Sequence, residues 1–145
     1  MKTNQFNFST KRYKINDIKK FPSKDMTFLV SLKDVYGDHG LVSFVNLKEK
    51  SEYLLIDTFI MSCRIIGRYL ENWILNEIRK ISLKKKKKFL VAEFIKTERN
   101  IVAKKFLEKN FQKLNKDIPK DLRKNKGEFY KFNSIKKVNH IEIYE

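Results

Sequence analysis

The residues best placed to do chemistry stand together in Asp57-Thr58-Phe59-Ile60-Met61-Ser62-Cys63-Arg64-Ile65-Ile66-Gly67-Arg68. A nearly continuous apolar run, Glu52 to Phe59, leads into it and reads as a buried central strand. Helical spacing follows, so a short turn must join strand to helix. The first N–H groups of a helix have no acceptor within it, and the helix dipole adds partial positive charge there. Such a junction suits a phosphate or pyrophosphate. Arg64 and Arg68 would add charge-assisted hydrogen bonds, and Gly67 would let a ligand come close to the backbone. A thiol at this position beside Arg64 would hold more of its nucleophilic thiolate form. The competing reading of Cys63 is a buried, inert residue that packs like a small hydrophobe.

The elements that must position these residues follow from periodicity. Asn4 to Ser9 alternates Phe6 and Phe8 with polar residues, as a strand does. Lys14 to Phe21 carries Ile15, Ile18 and Phe21 at helical spacing, with Asn16 or Asp17 near its start and Pro22 as its stop. Met26 to Leu32 and Leu41 to Leu47 read as strands joined by the turn chemistry of Tyr36-Gly37-Asp38-His39-Gly40. Arg64 to Ser82 is the longest helix, with Ile65, Tyr69, Trp73, Ile74, Ile78 and Ile81 on one face. The lysine run Lys84 to Lys88 closes it. Phe89 to Ile95 is a strand and Asn100 to Asn110 a second long helix. Residues 113–127 read as a loop, and Phe129 to Phe132 and Val138 to Tyr144 as the last strands. A strand meander followed by a β-α-β unit predicts a mixed α/β sheet with helices on its faces.

The chain has 145 residues, 41% hydrophobic and 13% aromatic, which suits one folded domain over residues 1–145. Lys and Arg number 33 against 17 Asp and Glu, a net charge of +16. The lysines are spread along the whole chain, so the excess reads as compositional bias rather than as a nucleic-acid footprint. A basic surface also steers an acidic protein partner. One cysteine excludes an intrachain disulfide and favours a reducing compartment. Met1 to Lys14 lacks an apolar core of the signal-peptide kind, and the longest apolar run, Tyr53 to Ile56, is too short to span a bilayer. The expectation is a soluble cytoplasmic protein. Two histidines and one cysteine offer no metal-site spacing. His39 reads as a surface turn residue, His140 as a strand residue and Trp73 as helix core. Asp57 would orient the turn or satisfy backbone N–H groups.

Arg64-x-x-Gly67 is the front of the R/Q-x-x-G-x-G/A signature of GNAT acyltransferases. A longer resemblance reinforces it. Ile56-Asp57-Thr58-Phe59-Ile60-Met61-Ser62-Cys63-Arg64-Ile65-Ile66-Gly67-Arg68 is similar to the E/I-D-T-F-L-M-S-C-R-V-L-G-R block of FkbH-like proteins. Lys2-Thr3-Asn4-Gln5-Phe6-Asn7-Phe8-Ser9-Thr10-Lys11-Arg12-Tyr13 resembles that family's K-T-N-Q-F-N-L-T-T-R-R-Y opening. Asp34-Val35-Tyr36-Gly37-Asp38-His39-Gly40-Leu41-Val42 resembles its D-x-F-G-D-x-G-L-V. Thr97-Glu98-Arg99-Asn100, followed by Phe106, falls where the family has P-T-x-K-N and F-Y. The four blocks keep the family's order.

The resemblance implies a GNAT-like mixed, mostly antiparallel sheet flanked by helices. It implies an acyltransferase handling a glyceryl or other short acyl group as a thioester, on coenzyme A or on the phosphopantetheine of an acyl carrier protein. Polyketide and polysaccharide biosynthesis are both settings of the family. Cys63 takes the position of the family's thioester-carrying cysteine. Arg64, Gly67 and Arg68 would hold the arm's phosphate, and Asn100 would brace the strand–helix junction at the arm's exit. The family pairs this domain with a haloacid-dehalogenase-like phosphatase. No D-x-D-x-T nucleophile motif occurs in these residues, so that step would fall to a separate subunit or domain. Tyr69 replaces the last Gly/Ala of the signature and crowds the loop. Leu107 replaces a tyrosine that commonly protonates the leaving thiolate. Both departures favour an alternative, a non-catalytic module that docks a carrier protein or a phosphatase subunit.

Overall fold

The computed structural model describes residues 6–8, 19–20, 25–65, 69–125 and 127–134. Strands β2 (Met26–Asp34), β3 (Gly37–Glu49) and β4 (Tyr53–Met61) form an antiparallel meander. Helix α1 (Leu70–Lys84) leads to β5 (Phe89–Phe94), which lies parallel to β4. Helix α2 (Ile101–Asn110) leads to β6 (Gln112–Leu114) and β7 (Glu128–Asn133), which pair antiparallel with each other, β7 also with β5. The sheet order is β2-β3-β4-β5-β7-β6, and the short β1 (Phe6–Asn7) pairs with β4 off this path. The mixed, mostly antiparallel sheet flanked by helices is the architecture expected from the sequence.

Side chains of successive strand residues point to opposite faces, and the two faces differ in composition. Leu54, Ile56, Leu90, Ala92, Tyr130 and Phe132 join Ile74, Leu75 and Ile78 of α1 and Ala103, Phe106 and Leu107 of α2 in one apolar cluster. Tyr53, Leu55, Val91 and Phe129, of the other parity, form a smaller cluster closed by Leu122. All nine residues of β4 are buried, which makes it the central strand its composition announced.

Several boundaries differ from the sequence reading. The long helix begins at Leu70 rather than at Arg64; Cys63–Ile65 is a separate 3-10 turn. Periodicity placed Ile65 on the helix because a buried residue in the preceding turn mimics the first apolar position. Between 113 and 127, read as a loop, the chain first completes β6 by pairing Lys113 and Leu114 with Tyr130 and Phe129, then makes a 3-10 turn at Lys120–Leu122. The polar β6 carries no alternation because it is a sheet-edge strand. The β2–β3 turn is Val35-Tyr36, tightened by Tyr36 N–H donating to Asp34 Oδ1 at 2.8 Å, and Gly37 to Gly40 already belong to β3. The expected helix over 14–21 falls mostly, and the strand over 138–144 wholly, outside the described residues. No helix among the described residues is long and apolar enough to cross a membrane.

Candidate functional site at the end of β4

Asp57 sets the local geometry. Thr58 pairs with Asn46 and Ile56 with Leu47, so the β3–β4 register skips Asp57. This is a bulge, which bends a strand and increases its twist. The parallel pairing of β4 with β5 runs from Tyr53↔Phe89 to Ile56↔Ala92 and stops there. Past that point the two strands part and leave a wedge with backbone groups on both walls.

Residues 6–8 occupy the wedge. Asn7 pairs with Ile60 and Phe6 with Met61 on the β4 side, and Phe8 N–H donates to Phe59 O at 3.2 Å. On the β5 side Ile95 N–H donates to Phe8 O at 2.8 Å. Asn100 locks this arrangement from below α2. Its Nδ2 donates to Asn7 O at 3.0 Å and to Ile95 O at 2.9 Å, and its Oδ1 accepts from Thr97 N–H at 2.8 Å. With every polar atom of its amide engaged, a buried Asn is well placed to brace the strand–helix junction.

At the far end of β4, Ser62 N–H donates to Val42 O at 2.8 Å, and Ser43 Oγ donates to Ile60 O at 2.8 Å. These bonds hold the strand end against β3. Ser62 Oγ then accepts from Arg64 N–H at 3.4 Å and Arg64 Nε at 3.2 Å, while an Arg64 terminal nitrogen donates to His39 O at 3.3 Å. Arg64 is exposed, and among the described residues its guanidinium meets only these neutral oxygens. These bonds fix where the guanidinium lies, a placement that suits an anion. The backbone of Cys63 lies in the same turn; its side chain, with Gly67 and Arg68, lies outside the described residues. Ser62 went unnoticed in the sequence, although Ser before a turn is a capping signal.

Tyr69, immediately before α1, has φ +64°. That is the left-handed region where glycine is at ease and a side chain is strained. A glycine at the last position of the acyltransferase signature has a conformational reason here, and tyrosine departs from it at a cost. Leu107 is fully buried in the main cluster beside Phe106, whose ring meets Phe6 and Phe59 edge-on at 5.3 and 6.2 Å. Position 107 supplies no proton donor. His39, read as a surface turn residue, instead lies within β3 and is half-buried, with Nε2 3.0 Å from Asp34 Oδ2. Trp73 is half-buried against the main cluster, in agreement with a packing role. Among the described residues no three His, Cys, Asp or Glu side chains converge as a metal site requires.

No protein-family model matches the chain. No curated protein matches it either. Solved structures do. A domain from Methanocaldococcus jannaschii superposes with TM-score 0.58 at 19% identity, over 77% of this chain and 68% of that one. A GNAT-family acetyltransferase from Staphylococcus aureus gives TM-score 0.62 at 14% identity, over 77% and 69%. N-acetylglutamate synthase from Neisseria gonorrhoeae, solved with coenzyme A and N-acetyl-glutamate, gives TM-score 0.63 at 14% identity; the match covers 86% of this chain and 29% of that one. The bulged β4, the parted β4–β5 pair and the turn before α1 thus belong to a chain with the fold of the GNAT acetyltransferases.

Proposed function

We propose that this domain takes up a short acyl group as a thioester, carried by coenzyme A or by the phosphopantetheine arm of an acyl carrier protein. The carrying observation is Arg64, exposed and, among the described residues, hydrogen-bonded to neutral oxygens at the turn that ends β4 of a GNAT-type sheet. Arg64, with Gly67 and Arg68, holds the phosphate. Asn100 keeps the wedge in shape. The Cys63 thiolate attacks the thioester carbonyl; a new S–C bond forms, the bond to the arm's sulfur breaks, and the arm leaves as a thiol after taking up a proton. The FkbH-like resemblance makes glyceryl the first acyl group to try. It also points to a haloacid-dehalogenase-like phosphatase as a working partner in the cytoplasm. The coenzyme A complex of the Neisseria synthase supports the choice of arm.

A second reading is a non-catalytic module that docks the carrier or the phosphatase. Two observations favour it: Leu107 supplies no acid, and residues 6–8 close the wedge an arm would use. Intact-mass spectrometry separates the readings. The protein is incubated with a glyceryl carrier-protein thioester beside Cys63→Ala. An added glyceryl mass on wild type, absent in the variant, is the expected result. A stable complex with no added mass establishes docking alone, and neither result removes both readings.

A further inference from the structure

The two edges of the sheet differ. β6 is three residues long, with Gln112 and Lys113 exposed, a short polar strand of the kind that blunts an edge. β2 is nine residues long, and among the described residues it pairs only with β3. It holds no proline, and its charges, Lys33 and Asp34, stand at one end. Both register shifts of the β2–β3 pair skip a residue of β3, Val42 and His39, so β2 itself runs without a bulge. Its outward backbone N–H and C=O groups meet no further strand among the described residues.

Side chains along this edge divide by face. Met26, Phe28, Val30 and Leu32 pack against the main cluster on the helix side. Thr27, Leu29, Ser31 and Lys33 therefore point to the other side, where Leu29 is 61% exposed and Ser31 and Lys33 are exposed. On the helix side a notch of about 200 Å³ opens between β2 and α1, lined by Phe28, Val30, Trp73 and Ile81 among others. These four side chains are only half-buried.

Set antiparallel to itself, β2 is self-complementary in one register. With Leu29 opposite Leu29, Phe28 stands opposite Val30, Met26 opposite Leu32, Thr27 opposite Ser31, and Asp25 opposite Lys33. Apolar meets apolar on the helix side, hydroxyl meets hydroxyl on the other, and the pair of opposite charges occurs twice by symmetry. A two-fold axis through Val30 instead sets Met26 against Asp34 and Leu29 against Ser31. Slipping one strand by a single residue turns the apolar side of one copy to the exposed side of the other.

We infer that this edge is the interface of a homodimer, in which β2 pairs antiparallel with the partner's β2 about a two-fold axis at Leu29 and the two sheets become one. A two-fold contact needs a patch complementary to itself, and residues 25–33 are such a patch. The partner's Phe28 and Val30 lie alongside the notch and take its apolar walls out of water. Apolar, hydroxyl and opposite-charge pairs across strands each favour the association. The net charge of +16 on each chain opposes it at long range, an effect that salt screens.

Sedimentation velocity at moderate salt tests the dimer. The expected species has twice the mass of the 17.5 kDa chain. Leu29→Lys sets two ammonium groups face to face on the axis. It should weaken dimerisation by about tenfold or more and, at an exposed position, leave the far-UV circular dichroism unchanged. Oxidative crosslinking in a Cys63→Ala background reads the register. Leu29→Cys should give a covalent dimer, because directly opposed residues of an antiparallel pair lie about 4.5–5.5 Å apart, within disulfide reach. Tyr36→Cys, at a position 88% exposed but far from the axis, should not. A wild-type monomer at every concentration would overturn the inference and leave the edge to a strand of another protein. A dimer indifferent to Leu29→Lys, or Tyr36→Cys crosslinking as readily as Leu29→Cys, would overturn it in favour of a different contact surface.

Discussion

Asp121 lies on the 3-10 turn over the smaller apolar cluster, and its partners come from distant parts of the chain. The Tyr53 hydroxyl donates to both of its oxygens, at 2.9 and 3.1 Å, and Lys50 Nζ lies 3.2 Å away. Burial pushes its carboxyl pKa up, but the Tyr53 and Lys50 hydrogen bonds and the Lys50 charge outweigh burial and leave it below the usual value. A carboxylate with a depressed folded-state pKa stabilises the fold above its unfolded pKa of about 4, and that contribution disappears as pH falls through the folded value. Tyr53→Phe should raise the Asp121 pKa and reduce the stability lost below about pH 4. A carboxyl-carbon NMR titration reads the pKa directly, and an unmoved midpoint would show that Lys50 and the backbone hydrogen bond set it without Tyr53. Gly127 presents a steric case. A Cβ there would stand 3.0 Å from Glu93 Cγ and 3.0 Å from the carbonyl oxygen of Phe94, a backbone atom that cannot swing aside. Gly127→Ala should cost about 1–3 kcal/mol in urea unfolding and displace Glu93. A wild-type midpoint would mean that the loop gives way instead.

The end of α1 is built by backbone geometry, not by its lysines. Lys87 N–H donates to Ser82 O at 2.8 Å and Lys86 N–H to Leu83 O at 3.0 Å, the two bonds of a Schellman cap. Lys86 occupies the left-handed position of that cap, with φ +59°. Glycine is the residue this position favours. Lys86→Gly should therefore stabilise the protein by about 0.5–1 kcal/mol, after glycine's own entropy cost is subtracted. The corresponding rise in Tm is roughly 2–4 °C, measurable by calorimetry; a fall would mean that the Lys86 side chain makes a contact worth more than the strain. The run of five lysines is thus a helix terminus, and Lys85 and Lys87 are partly offset by Glu49 at 3.3 and 3.8 Å.

For the whole molecule, one apolar cluster spans β1, the sheet and both helices. The Phe6 ring lies 5.0 Å from Phe59 and 5.3 Å from Phe106, so the N-terminal strand is knitted into the centre of the fold. Elements that share a core unfold together. Far-UV circular dichroism and Trp73 fluorescence should therefore give one coincident thermal transition. Trp73 sits on α1, so an early, separate fluorescence change would show α1 loosening first.

Composition and periodicity alone determined the α/β class, the meander followed by a β-α-β unit and the burial of β4; they ran the long helix back to Arg64, which instead lies in a 3-10 turn ahead of α1. These features are legible because they depend on local alternation and on turn residues. Leu107 and Tyr69 were already visible as departures from the acyltransferase pattern. Tertiary structure decided the rest. The bulge at Asp57 depends on how β3 registers against β4, and no local pattern encodes a skipped partner. Phe6 and Phe8 read as a strand, but their place in the wedge follows from where β4 and β5 cease to pair. Glu93 and Lys50 looked like ordinary strand and turn charges. They line one cavity because parity puts Asp57 and Glu93 on the same face while the 120–125 segment folds back over it. Each of these is a pairing between residues far apart in the chain, and only the closed sheet brings them together.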